Sequence, residues 1–270
     1  MLREPCARLR PFVKAIWLAE ASSIQSREHV LPTGEIHLAF RLKGPEVRLF
    51  SGGADNRGET LGFAVVGGPR SSFYIKDSSA PSLSIGAVLN PGAALPLFGV
   101  LAAELAERHT KLSDLWGTDA EATLDWLRNT GSPEERLALF ENLLAERLPL
   151  IRAVHPAVAA ALAGFAAECS VREMVKATAY SHRHFAAVFR GSIGLLPKVY
   201  CRIRRFRMAL ETINRSRDLS LAELALSCGY SDQAHFQREF HKMAGVTPST
   251  YKKLAPVRSL HVPVARGPGA

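Results

Sequence analysis

The sequence predicts an α+β protein of two parts. A β-barrel or sandwich with following helices occupies residues 1–149 and an all-helical domain occupies 150–254, leaving a tail over 255–270 that is expected to be disordered. Three observations carry this reading. Apolar side chains alternate with a period of two within the first 92 residues, helical spacing takes over after Pro96, and near the C-terminus the chain repeats itself 51 residues on.

In the first part, Ile36, Leu38, Phe40 and Leu42 alternate with His37, Ala39 and Arg41, and Leu83, Ile85, Ala87 and Leu89 do the same. Pro32-Thr33-Gly34, Ser51-Gly52-Gly53, Gly67-Gly68-Pro69 and Asn90-Pro91-Gly92 read as turns between strands. Ser132-Pro133 supplies an N-cap and a first-turn proline for a helix whose stripe is Leu137, Phe140, Leu144 and Leu148. That stripe packs either on the chain's own barrel, the favoured reading, or on a second subunit. Pro149 and Pro156 bracket a junction, and the Pro- and Gly-rich residues after Leu254 form the tail.

The repeat lies in the second part. Phe185, Phe189, Gly194, Pro197 and Tyr200 return as Phe236, Phe240, Gly245, Pro248 and Tyr251, and upstream Ser170-x-x-Glu173 returns as Ser220-x-x-Glu223 with an offset of 50. Each Ser-x-x-Glu is a capping box that opens a helix. The first helices are expected to bury Val171, Met174 and Val175 in one copy and Leu221, Leu224 and Ala225 in the other. A turn at Ala179-Tyr180 or Gly229-Tyr230 follows, and Ser181 or Ser231-Asp232 caps a second helix. Helix, tight turn and helix is the DNA-binding arrangement.

At 100° per residue, Phe185, Val188 and Phe189 share one face of the second helix, and Arg183, Ala186, Ala187 and Arg190 lie opposite. The matching outward set is Ala234, Gln237, Arg238 and His241, with Gln233 and Lys242 at its flanks. Gln pairs bidentately with adenine and Arg with guanine, and alanine touches a thymine methyl. Between the copies, residues 197–214 form an amphipathic connector with Val199, Ile203, Phe206 and Leu210 on one side and Arg202, Arg204, Arg205 and Arg207 around it. Lys252 and Lys253 near the last helix's end suit phosphates.

Charge agrees with this division. Residues 151–254 hold 16 Lys+Arg against 7 Asp+Glu, whereas residues 1–149 hold 16 against 18. A basic domain beside a near-neutral one is the footprint of a polyanion-binding module.

The second part resembles the DNA-binding domain of the AraC (AraC/XylS) family of bacterial transcription regulators. Gly229-Tyr230-Ser231-Asp232-Gln233-Ala234-His235-Phe236-Gln237-Arg238-Glu239-Phe240 and Ala244-Gly245-Val246-Thr247-Pro248-Ser249-Thr250-Tyr251 carry the resemblance, which the first copy and connector extend to roughly 100 residues. It implies two helix-turn-helix units on promoter DNA in adjacent major grooves. Base contacts would fall on Arg183, Gln233, Ala234, Gln237 and Arg238. Ala186 and Ala187 stand where relatives are commonly polar, which implies weaker readout by the first unit. Leu31-Pro32-Thr33-Gly34-Glu35, Leu89-Asn90-Pro91-Gly92-Ala93-Ala94 and Leu112-Ser113-Asp114-Leu115-Trp116-Gly117 are similar to cupin-like effector or dimerisation domains of one AraC-type branch. The partners implied are double-stranded promoter DNA, a small-molecule effector, a second copy, and RNA polymerase if the protein is an activator.

The main alternative is a cupin-type metal enzyme fused to a DNA-binding domain. It is disfavoured because Glu35 and His37 would face inward only if Ile36, Leu38 and Phe40 faced outward, and no His-x-His pair supports them. His29 has no partner at metal-ligand spacing. A repair protein with a zinc-held, methyl-accepting cysteine fails because Cys6 stands alone in the first 168 residues. No nucleophile motif, cofactor loop or metal set is legible, and no enzyme activity is expected. Cys6, Cys169, Cys201 and Cys228 read as reduced cysteines packed in helices. No stretch reaches the ~18 apolar residues of a membrane span and no signal-peptide core is present, so the cytoplasm is the expected location.

Overall fold

The computed structural model of the chain describes residues 1–22, 27–148, 154–216 and 218–264. In chain order the strands are β1 (Leu2–Arg3), β2 (Val13–Ala21), β3 (Arg27–Val30), β4 (Ile36–Lys43), β5 (Arg48–Phe50), β6 (Glu59–Thr60), β7 (Ala64–Gly67), β8 (Tyr74–Asp77), β9 (Ser82–Leu89), β10 (His109–Lys111) and β11 (His261–Pro263). They form two antiparallel sheets, ordered β1-β2-β9-β4-β7-β10 and β11-β3-β8-β5-β6. The two strands expected from alternation are neighbours at the centre of the larger sheet, paired from Ile36 with Leu89 onward.

Both faces of that sheet are covered. Ile36, Leu38, Phe40, Leu42, Ile85, Ala87 and Leu89 pack against helices α1 (Ala94–Phe98), α2 (Ala102–Leu105), α3 (Ser113–Trp116), α4 (Asp119–Asn129) and α5 (Pro133–Arg147). Helix α5 opens on the Ser132/Glu135 capping box with Pro133 in its first turn. Its stripe is buried in the same core, with Phe140 edge-on to Phe40 at 5.7 Å. The stripe therefore packs on the chain's own sheet. Phe40 and Phe140 are fully buried, and each such side chain stabilises the layer by about 1.5–3 kcal/mol.

The opposite face of the same strands lines a cavity of about 560 Å³ between the two sheets. His37, Ala39, Arg41, Ser84 and Val88 point into it. The objection raised against an inward His37 therefore fails: Ile36, Leu38 and Phe40 do face away from the cavity, but a helical layer buries them there.

The second part is helical: α6 (Pro156–Ala166), α7 (Val171–Ala177), α8 (His182–Ile193), α9 (Pro197–Arg215), α10 (Leu221–Ser227), α11 (Gln233–Ala244) and α12 (Pro248–Leu254). Its core stacks Phe165, Phe185, Phe189, Phe206, Phe236, Phe240 and Tyr251. Leu224 and Ala225 are buried as expected, whereas Val171, Met174 and Val175 are only half-buried because α7 lies at the domain's edge.

Four expectations need correction. Residues 261–263, placed in a disordered tail, form β11 on the free edge of β3, where Val262 is fully buried. Gly67, read as a turn glycine, is the last residue of β7 and pairs with both His37 and His109. Cys6 is exposed outside any helix, and of the other cysteines Cys201 alone lies within one, the four being unpaired. Lys252 is half-buried rather than presented to solvent. The junction residues 149–153 and the tail residues 265–270 lie outside the described residues.

Candidate nucleic-acid interface

Each unit is built from capped helices set by a tight turn. Ser170 and Ser220 each accept from the backbone N–H of the glutamate three residues on, at 3.2 Å, and Glu173 and Glu223 return the bond to the serine N–H. These bonds hold both glutamate carboxyls below their ordinary range. At the turn, Gly229 has φ +72°, the left-handed conformation glycine adopts without cost, while the first unit forces Ala179 to φ +44°. Ser181 then caps α8 through the His184 N–H at 3.2 Å, and Asp232 caps α11 through the His235 N–H at 2.7 Å.

Those caps fix which side chains face solvent. On α8, Phe185 and Phe189 are buried, Arg183, Ala187 and Arg190 are exposed and Ala186 is half-exposed. On α11, Phe236 and Phe240 are buried, Gln233, Ala234, Arg238, His241 and Lys242 are exposed and Gln237 is half-exposed. Among the described residues the side chains of Arg183, Arg190, Arg238 and Lys242 have neither a hydrogen bond nor an ion pair. Their charge faces solvent.

Three further basic side chains of the domain, Arg202, Arg205 and Lys252, are used internally. Arg202 grips Glu239 on α11 with two of its nitrogens, Nη2 at 2.5 Å and Nε at 3.0 Å. Arg205 donates to the Gly229 carbonyl at 3.1 Å and lies over the Tyr230 ring, clamping the second turn. Lys252 donates to the Leu219 carbonyl at 2.6 Å, tying α12 to the loop before α10. The 19-residue α9, about 28 Å long at helical rise, is fastened to the second unit by these bonds and to the first by Tyr200 edge-on to Phe189 at 5.6 Å.

Comparison with known proteins reaches the same segment. A family model described as a helix-turn-helix domain matches residues 174–254, and a domain of unknown function (DUF6597) matches residues 2–111. The probable transcriptional regulator LumQ of Photobacterium leiognathi is 29% identical over 83 residues, 31% of this chain and 33% of its own length. The probable transcription factor PqrA of Proteus vulgaris is 30% identical over 82 residues, 30% of this chain and 66% of its own length. The helix-turn-helix domain of this chain is of the AraC type. The chain spans about a third of LumQ's length. A crystal structure of an apo point variant of ToxT from Vibrio cholerae aligns with 94% of this chain and 100% of its own, at a TM-score of 0.48 and 12% identity.

The turns of the β domain touch this AraC-type domain. A Cβ on Gly34 would lie 3.6 Å from Ile203 of α9, and the Gly92 N–H donates to the Ser192 carbonyl of α8 at 3.2 Å. The two glycines that end the recognition helices, Gly194 at φ +87° and Gly245 at φ +71°, dock in equivalent ways. A Cβ on Gly194 would meet Pro69 at 2.4 Å, and one on Gly245 would meet His29 and Phe73 at 2.6 Å. His29, whose pKa burial lowers, donates from Nδ1 to the Ala244 carbonyl at 3.0 Å while stacking on Phe73. His29 is thus a domain contact. Among the described residues no three His, Cys, Asp or Glu side chains gather to hold a metal ion, and no helix is long and apolar enough to cross a membrane.

The cavity adds residues that the sequence reading passed over. Trp17, Arg70, Tyr74 and His109 line it together with His37 and Arg41. The signal available was the run of inward positions His37, Ala39 and Arg41 on one strand, polar at both ends where a solvent-facing assignment was assumed.

Proposed function

We propose that the protein is a cytoplasmic transcription regulator that reads promoter DNA with α8 and α11 and adjusts its binding to a small molecule held in the β domain. The observation that carries the DNA reading is the pair of capped recognition helices on one rigid connector, each presenting unpaired cations outward. Major grooves recur about every 34 Å along one side of the duplex, close to the connector's length. Arg183 in one unit, and Gln233, Ala234, Gln237 and Arg238 in the other, supply base contacts. Arg190, His241, Lys242 and Lys253 serve the phosphates; Lys252 instead secures α12. RNA polymerase, where the regulator activates, and a second copy are the further partners this reading calls for.

The effector reading is supported by shared residues. Val30, Leu31, Gly68 and Arg70 line the cavity, and their immediate neighbours His29 and Pro69 abut the ends of α11 and α8. A ligand that shifts either segment changes the relative setting of the two recognition helices, which is differential binding between two states.

Fluorescence anisotropy of the full chain on duplexes selected from a random pool, at 50 to 200 mM salt, tests the DNA reading. A selected site should bind at least 10³-fold more tightly than a scrambled duplex. Equal affinity for both across that range would leave a basic domain with no readout.

A further inference from the structure

The cavity between the sheets has unbalanced charge. Arg41, Arg70, Lys76 and Arg258 line it on the basic side, with Glu35 on the acidic side. Glu35 is already paired with Lys14 at 2.6 Å and Arg207 at 3.3 Å, and Lys76 with Glu28 at 2.7 Å. Arg258 donates to the Glu20 carbonyl, and Arg41 to Ser84 Oγ and the Pro45 carbonyl, all neutral acceptors.

Arg70 is the least satisfied of the four. Its Nε is buried without a hydrogen-bond partner, one terminal nitrogen lies 3.3 Å from His109 Nδ1, and its guanidinium stands over the Tyr74 ring. The Arg70 guanidinium lines the cavity with no ion pair among the described residues, and a planar carboxylate is the natural complement of such a fork. Burial and the Arg70 charge push the His109 pKa down to about 3, so its ring is neutral at physiological pH. Arg70 donates to Nδ1, which places the ring proton on Nε2 as a further neutral donor. The room for this ring comes from Gly67, where a Cβ would stand 3.1 Å from His109 Nε2.

Around this polar end the walls are apolar: Trp17, Leu31, Val47, Leu49, Val65 and Val88. Part of the outer wall, Leu260 and His261, comes from beyond the second helix-turn-helix unit, through β11. At about 560 Å³ the cavity falls in the range of small-molecule sites.

We propose that this cavity is a binding site for an organic anion with an apolar body, that Arg70 is its charge partner, and that the β11 segment closes it. The proposal rests on the effector reading of the β domain and goes further by naming the ligand class. It excludes cations, because the lining carries four basic side chains against Glu35 alone.

The test is isothermal titration of the full chain with 4-phenylbutyrate, 4-phenylbutyramide and 4-phenylbutylammonium. The carboxylate should bind at least tenfold more tightly than the amide, with the ammonium weakest. Arg70→Gln should bring the carboxylate to the amide's affinity while the amide's own affinity stays. Arg108→Gln, outside the cavity lining, should leave the preference intact. Equal binding of the three by the parent chain, a preference that survives Arg70→Gln, or no binding by any of them at millimolar concentration would overturn the proposal. DNA affinity measured beside it separates the two claims. An anion that binds through Arg70 without changing DNA affinity leaves the site standing and sinks the effector reading.

Discussion

Replacing Phe236 by alanine tests how the repeat stabilises the second unit. The ring is fully buried, with its centroid 5.1 Å from that of Tyr230 and 5.6 Å from that of Phe240. Burial of a phenylalanine contributes about 1.5–3 kcal/mol and each aromatic contact adds about 0.5–1.5. The cavity left behind collapses only partly, because the neighbouring Phe240 ring is held by its own contacts with Phe206 and Tyr251. A loss of about 3–5 kcal/mol follows. Because the chain has two cores, one global midpoint is ambiguous, and amide hydrogen exchange is the appropriate assay. Protection should fall across Leu221–Ser227, Gln233–Ala244 and Pro248–Leu254 and persist in the sheet. Protection of those helices within about 1 kcal/mol of the parent's would refute the core placement.

Other expectations concern readout, turn strain and the C-terminal strand. Arg238→Ala should weaken binding to the selected site by about 1–3 kcal/mol and relax preference at one base position, checked by anisotropy on single-base variants; equal weakening on every sequence would show a phosphate contact instead. Ala179→Gly should stabilise the first unit by about 0.5–1 kcal/mol, since it relieves a left-handed alanine at the price of extra unfolded-state entropy; unchanged or reduced protection of Val171–Ala177 in hydrogen exchange would contradict that. For Glu28, burial pushes the pKa up, but His261 and Lys76 outweigh it and hold the carboxyl well below its usual range. Its native pKa is depressed, so its contribution is present above the unfolded value of about 4.3 and declines as pH falls from there towards the lower native value. Exchange protection of the His261 and Val262 amides should therefore drop below about pH 4.3 in the parent and lose that dependence in Glu28→Gln. A Glu28→Gln profile that matches the parent's would remove this ion pair from the account.

The helical half was legible because its signals are local. Capping boxes, turn residues and a 3.6-residue stripe are decided within a few positions, and the same set appears twice. What escaped depends on pairing at a distance. Strands β10 and β11 have three residues each, too few for alternation, and exist because β7 and β3 offer them free edges. Helix α6 was passed over although His155 and Pro156 mark its start. His37 was assigned outward because an alternating strand was assumed to have one wet face, whereas helices cover one face and the second sheet encloses the other. The connector arginines read as one basic group, yet Arg202 and Arg205 serve Glu239 and Gly229 within the fold. The turns Pro32-Thr33-Gly34 and Asn90-Pro91-Gly92 were read as strand ends, and their contacts with α9 and α8 depend on a domain arrangement that no local pattern encodes.

The central claim is that one chain reads two unlike half-sites, one with each recognition helix. Selection of binding sites from random duplexes by the parent chain, by Arg183→Ala and by Arg238→Ala tests it most directly. The account predicts a bipartite site whose halves differ in sequence and lie about one helical turn, ~10 base pairs, apart. Arg183→Ala should relax one half and Arg238→Ala the other. A single block of sequence, or two substitutions that relax the same half, would contradict it.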